Sequence, residues 1–144
     1  MKRLVNLVVF FCSIAVIGLT NVACDNGINI GDFIQKEDFL GKWVNSNGVV
    51  RDISLNKMVA SGSDWSYTLT INSWKAVQNT NKDTKTEYPY GYRITGIITE
   101  MNRGSLGGVP NVGEPYSQTY FLNVDKNSFS NDGGINHQIY TKQN

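Results

Sequence analysis

Trp65-Ser66-Tyr67-Thr68-Leu69-Thr70-Ile71-Asn72 carries an apolar residue at every odd position and a polar one at every even position. That period of two describes a strand with one buried and one wet face, because successive side chains leave a strand on opposite sides. The rhythm recurs elsewhere. Tyr88, Tyr90, Tyr92 and Ile94 alternate on even positions up to Gly96, where Ile97-Ile98 blurs the phase and marks a bulge. Tyr116, Tyr120, Leu122 and Val124 are in phase in a later run, and Val49, Ile53 and Leu55 share one phase in an earlier run.

Between these runs lie turn-forming segments. Gly41-Lys42-Trp43-Val44 leads into Asn45-Ser46-Asn47-Gly48, a hairpin signal because Asn-Gly tolerates positive φ. Residues 56–64 read as a loop, 75–85 as a polar turn and 102–113 as a Gly-rich loop. Asp125-Lys126-Asn127 and Asn131-Asp132-Gly133-Gly134 read as turns on either side of a brief strand at Phe129, and 135–142 closes the chain. About seven strands joined by short turns predict an antiparallel meander that protects its edges by closing into a barrel or folding into a sandwich.

Composition agrees with an all-β fold. Of 144 residues, three are Trp, seven Tyr and six Phe, a mix that favours strands. The chain holds 13 basic and 12 acidic residues; without the first 23, which include Lys2 and Arg3, 11 basic face 12 acidic. A near-neutral body gives no electrostatic reason to expect nucleic acid as a partner. The length suits one domain with one core, expected as a monomer.

The N-terminus supplies an address. Lys2 and Arg3 precede a nearly apolar run from Leu4 to Leu19, which is short for a spanning helix and has the layout of a secretory signal. Thr20-Asn21-Val22-Ala23-Cys24 follows and resembles the lipobox of bacterial lipoproteins, in which the cysteine is acylated and becomes the mature N-terminus. Ala23 and Val22 match, whereas Asn21 stands where a Leu is usual. Asn21 is also a poor third residue for an ordinary small-x-small cleavage site. Cys12 lies in the apolar run and would leave with it, so Cys24 has no intramolecular partner. The resemblance implies a signal-peptide helix within 1–23, a palmitate-type lipid anchor on Cys24, and a tether over 24–38. The protein would sit in the bacterial cell envelope, fixed to a membrane and facing the periplasm or the exterior. Each buried methylene contributes about 0.8 kcal/mol, so two or three acyl chains hold firmly.

Phe39-Leu40-Gly41-Lys42-Trp43 resembles the Gly-x-Trp motif that opens the first strand of lipocalins. The resemblance implies that 39–144 forms a small lipocalin-like barrel, with Gly41 and Trp43 at its closed base, holding a small apolar ligand. The family's arginine that packs on this Trp near the last strand has no counterpart, since Lys142 is the only cation in 135–144. Small eight-stranded barrels can also be filled by their own side chains.

Signs of chemistry are sparse. His137, the only histidine, shares its phase with Ile135 and Ile139, and a lone inward histidine is ordinarily structural. A metal site needs several nitrogen or sulfur donors, and a nucleophile needs a base beside it. Gly104-Ser105-Leu106-Gly107-Gly108 lacks the Lys-Ser/Thr ending and the helix of a phosphate loop. Asp83 with Glu87, or Glu100 with Glu114, have nothing that sets a catalytic separation. No catalytic residue, metal or cofactor is assigned, and the protein is read as a non-enzyme.

Two functional classes follow. One is a binder of a small apolar ligand in a cavity walled by Trp65, Tyr67, Leu69, Tyr90 and Tyr92. Arg51, in the apolar phase between Val49 and Ile53, would meet a ligand carboxylate or an internal Asp, or else reach water at a strand end, which is the commoner arrangement. The other is an interaction protein with a filled core that binds an envelope or host component through loops 56–64 and 102–113.

Overall fold

Ile53, Met58, Leu69, Ile94, Leu122, Phe129 and Tyr140 lie far apart in sequence and meet in one buried cluster. The computed structural model describes residues 33–131 and 138–144; the leader, Cys24 and His137 lie outside them. Eight strands carry the cluster: β1 (Gly41–Asn45), β2 (Val50–Ile53), β3 (Lys57–Ser61), β4 (Ser66–Gln78), β5 (Tyr90–Asn102), β6 (Pro115–Leu122), β7 (Ser128–Asn131) and β8 (Ile139–Lys142). Each pairs antiparallel with the next, and β8 returns to β1 through Trp43–Lys142, Val44–Thr141 and Asn45–Tyr140, so the barrel is closed. Closure satisfies the ladder and leaves no free sheet edge.

Several expectations need correction. Residues 56–64 are not simply a loop, because β3 occupies most of them and buries Met58 and Ala60 completely. β4 runs on to Gln78 through residues read as a turn. Its continuation is hidden by a bulge. Ile71 faces Gly96 while Ser73 faces Thr95, so Asn72 is an extra residue and the inward phase changes from odd to even at Trp74. The bulge expected near 97–98 falls one residue later, since Thr68 faces Glu100 while Leu69 faces Ile98. Leu55 and Val124 lie in turns just beyond strand ends and are exposed. In β8 the inward residue is Tyr140 rather than Ile139.

The β1–β2 hairpin forms as its turn residues require. The Asn45 side-chain oxygen accepts from the backbone N–H groups of Asn47 (3.0 Å) and Val49 (2.9 Å), and Gly48 N–H donates to the Asn45 carbonyl. Gly96 is needed for close approach, because a Cβ there would overlap the Thr70 carbonyl.

One end of the barrel is plugged. A 3-10 turn, Lys36–Phe39, precedes β1 and inserts Phe39 beneath the fully buried Trp43. Trp43 Nε1 donates to the Phe39 carbonyl at 2.8 Å. Gly41 adopts φ 111°, which a side chain would strain, at the bend from turn into strand. The cation on this Trp is Lys142. Its Nζ sits 5.1 Å from the Trp43 ring centroid and donates to the Asp38 carbonyl at 3.3 Å. The Asp38 carboxylate accepts from the Gln35 backbone (2.8 Å) and from Lys126 (2.8 Å). Burial alone would raise the Asp38 pKa, but those two partners outweigh it and the net shift is downward.

Candidate ligand site at the barrel mouth

Above the plug the barrel is filled by rings. Phe129 is the hub, with centroids 4.8 Å from Trp43, 4.8 Å from Tyr120, 4.9 Å from Tyr140 and 6.2 Å from Phe39. Such separations are ordinary aromatic packing and make this part of the interior core.

The other end differs because β2 brings a charge inside. β2 is only four residues long, and its alternation sends Arg51 and Ile53 inward together. Arg51 stands between Trp43 on β1 and Ala60 on β3, where the small Ala60 side chain leaves space for the arginine stem. Arg51 is 6% exposed, so it does not reach water at a strand end. Its guanidinium carbon lies 5.5 Å from the Tyr140 ring centroid, 5.6 Å from Tyr67 and 5.9 Å from Trp65. These contacts partly replace water around the cation.

They do not replace a counter-ion. Among the described residues, the ion pair present is Lys126–Asp38 at the far end, and Arg51 Nε and Nη1 have no hydrogen-bond partner. Tyr67 Oη and Ser130 Oγ are also buried without a partner. Nearby carbonyl oxygens are already engaged. Gln118 Oε1 accepts from Tyr120 Oη (2.9 Å) and Tyr116 Oη (3.4 Å), while Gln138 Oε1 accepts from Tyr140 Oη (3.0 Å) and Asn45 Nδ2 (3.2 Å). The phenols provide no negative charge. Burial pushes the Tyr67, Tyr120 and Tyr140 pKa values up, against the opposing pull of Arg51. For Arg51 burial disfavours the charge, the oxygens of Tyr120, Tyr67 and Tyr140 favour it, and the net shift is upward. Among the described residues the cation meets no carboxylate, and it sits in a low-dielectric interior.

The mouth above it is covered by the loop that joins β3 to β4 and the loop that joins β5 to β6. Trp65, half-buried, stacks on Tyr67 with centroids 6.1 Å apart and planes 13° apart. Leu106 and Val109 pack against the core from the Gly-rich loop. Asp64, beside Trp65, fastens that loop by accepting from Ser105 N–H (2.9 Å) and Ser105 Oγ (2.7 Å).

The residues proposed from sequence to wall one cavity therefore separate. Trp65, Tyr67 and Arg51 come together at the mouth, and Leu69 is buried in the core beneath them. Tyr92 belongs to the plugged end, edge-on to Phe39 at 5.8 Å. Tyr90 stacks on Phe33 at 5.1 Å and lines a surface crevice of about 150 Å³ with Ile34, Leu122 and Val124. Missed by sequence reasoning were Tyr116, Tyr120 and Tyr140, which surround Arg51, and Gln118 and Gln138, which hold their hydroxyls. Their alternation on β6 and their placement opposite Asn131 and Asn45 mattered only once the strands were paired. The described residues contain no group of three or more His, Cys, Asp and Glu able to hold a metal. No protein-family model, curated protein or solved structure matches the chain.

Proposed function

We propose that this chain is a lipoprotein of the bacterial cell envelope, anchored through Cys24, whose lipocalin-like barrel binds a small apolar ligand without catalysing a reaction. The anchor rests on the lipobox-like Asn21-Val22-Ala23-Cys24 and on the apolar run before it. Support for the barrel's likeness to lipocalins comes from Gly41 and Trp43 at a plugged base, with a cation on the Trp ring. The chain enters the barrel at that base, so an anchor at Cys24 would leave the Arg51 mouth at the opposite end.

The observation that carries ligand binding is the buried Arg51 with two nitrogens lacking acceptors. A stable fold rarely retains a buried unpaired charge, and a binding site is one reason to keep it. Two experiments test the reading. Labelled palmitate should enter the natural protein and be lost in Cys24→Ala; equal labelling refutes the anchor. Native mass spectrometry of protein extracted from its membrane should show a bound small molecule, and the bare mass alone argues for the filled-core alternative.

A further inference from the structure

We infer that the ligand is an amphipathic carboxylic acid, whose carboxylate is held by Arg51 and Tyr67 and whose apolar part runs out past Trp65, Leu106 and Val109. This deepens the small-ligand reading and depends on it. The groups left without partners include two that can only donate, Arg51 Nε and Nη1, beside the buried hydroxyls of Tyr67 and Ser130. Arg51 Nε and Nη1 and the Tyr67 hydroxyl can each donate a hydrogen bond, and none has an acceptor. The side-chain carbonyls that touch the surrounding tyrosines, those of Gln118 and Gln138, are already used by tyrosine hydroxyls and by Asn45. Among the described residues the site thus holds no negative charge to match the Arg51 donors, and a carboxylate supplies one together with strong acceptor oxygens.

The walls set the remaining chemistry. One cation among aromatic faces balances a single negative charge; a doubly charged phosphate would leave an uncompensated charge against rings. The mouth-side neighbours Trp65, Leu106 and Val109 are half-buried and apolar, which suits an alkyl or aryl tail. The unpartnered atoms are closed to solvent, so the acid reaches them only after a side chain moves. Trp65 is the half-buried ring stacked over Tyr67, on the short connection between β3 and β4. Binding turns it aside, and its fluorescence reports the event.

The test uses the full chain in nanodiscs of zwitterionic lipid, titrated with octanoate, with the neutral isostere octanamide and with acetate. Trp fluorescence is followed in the natural protein, in Trp65→Phe and in Arg51→Met, with empty nanodiscs as the background. Octanoate is expected to bind about 10- to 100-fold tighter than octanamide, the value of a charge-assisted hydrogen bond, and the preference disappears in Arg51→Met. Equal binding of octanoate and octanamide overturns the carboxylate while leaving small-ligand binding intact. Acetate as tight as octanoate overturns the amphipathic tail. No response to any of the three overturns this inference and the reading beneath it together. Should Arg51→Met not fold, the natural protein still decides: its octanoate affinity falls as pH drops through the carboxyl range of about 4 to 5. Among the described residues, the titratable groups facing Arg51 (Tyr67, Tyr116, Tyr120 and Tyr140) are all phenols, so of these and the ligand it is the acid that changes charge there. A flat affinity across that range overturns the proposal.

Discussion

Replacing Arg51 by Met should make the ligand-free protein more stable. Arg51 is 6% exposed, faces three rings and has no counter-ion among the described residues. Against its charge stand a desolvation penalty of several kcal/mol and buried donors without acceptors at two nitrogens, each worth about 1–3 kcal/mol. In its favour stand three cation–π contacts at about 0.5–2 kcal/mol each. The opposing terms are similar in size, and the unpaired donors tip the sum. Methionine keeps most of the stem's packing and removes both the charge and the orphan donors. The expected gain is about 1–3 kcal/mol, in line with buried charges replaced by apolar side chains. Urea denaturation followed by Trp fluorescence should show a higher midpoint at unchanged slope. The melting temperature should rise by about 3–5 °C per kcal/mol. A loss of more than about 1 kcal/mol would refute the reasoning, since the rings would then be paying Arg51 back in full and it would be part of the core.

Trp43→Phe removes the Nε1 bond to the Phe39 carbonyl and weakens the Lys142 contact; a loss of about 1–3 kcal/mol in the same denaturation is expected, and no loss would refute the plug. Gly96→Ala drives a methyl group into the Thr70 carbonyl, which should cost about 1–3 kcal/mol, whereas a gain would show that β4 and β5 separate easily there. Asp64→Ala cuts both bonds to Ser105, so hydrogen exchange of the Ser105 amide should speed up at least about 10-fold while the core amides keep their protection; unchanged exchange would refute the clasp. The lowered Asp38 pKa gives stability that is present above the ordinary carboxylate value and is lost as pH falls through the folded value. Asp38→Asn should therefore be less stable than the natural protein at pH 7, by up to about 1 kcal/mol, and the gap should close in acid; a gap independent of pH would contradict the assignment.

How far the fold could be read in advance depended on how locally each element is encoded. The alternation through Tyr67, Leu69 and Ile71 and again through Tyr90, Tyr92 and Ile94 is local, and it led directly to an antiparallel all-β fold. β3 escaped because Lys57-Met58-Val59-Ala60 sits among Asn, Ser, Gly and Asp, and its burial comes from pairing with β2 and β4 rather than from propensity. The latter half of β4 escaped because Asn72 shifts the phase, and a one-residue slip exchanges the two faces. The site was less legible than the fold. Arg51 shares its phase with Ile53, which placed it inside only if the strand did not end there. That Lys142 lies over Trp43, and that Tyr116, Tyr120 and Tyr140 surround Arg51, are facts of closure between distant strands. The grouping of Tyr90 and Tyr92 with Trp65 and Tyr67 ignored distance along β5. Tyr67 pairs with Met101, nine residues beyond Tyr92, and hence at the opposite end of the barrel.

The most direct measurement is the nitrogen–proton correlation of Arg51 Nε in solution, assigned by its loss in Arg51→Met. Shielded by its rings, this N–H should exchange slowly and give a resolved signal. On addition of octanoate it should shift saturably downfield, while octanamide at the same concentration moves it far less. A signal that exchanges rapidly with water, or that octanoate does not move, would contradict an enclosed cation awaiting an acid.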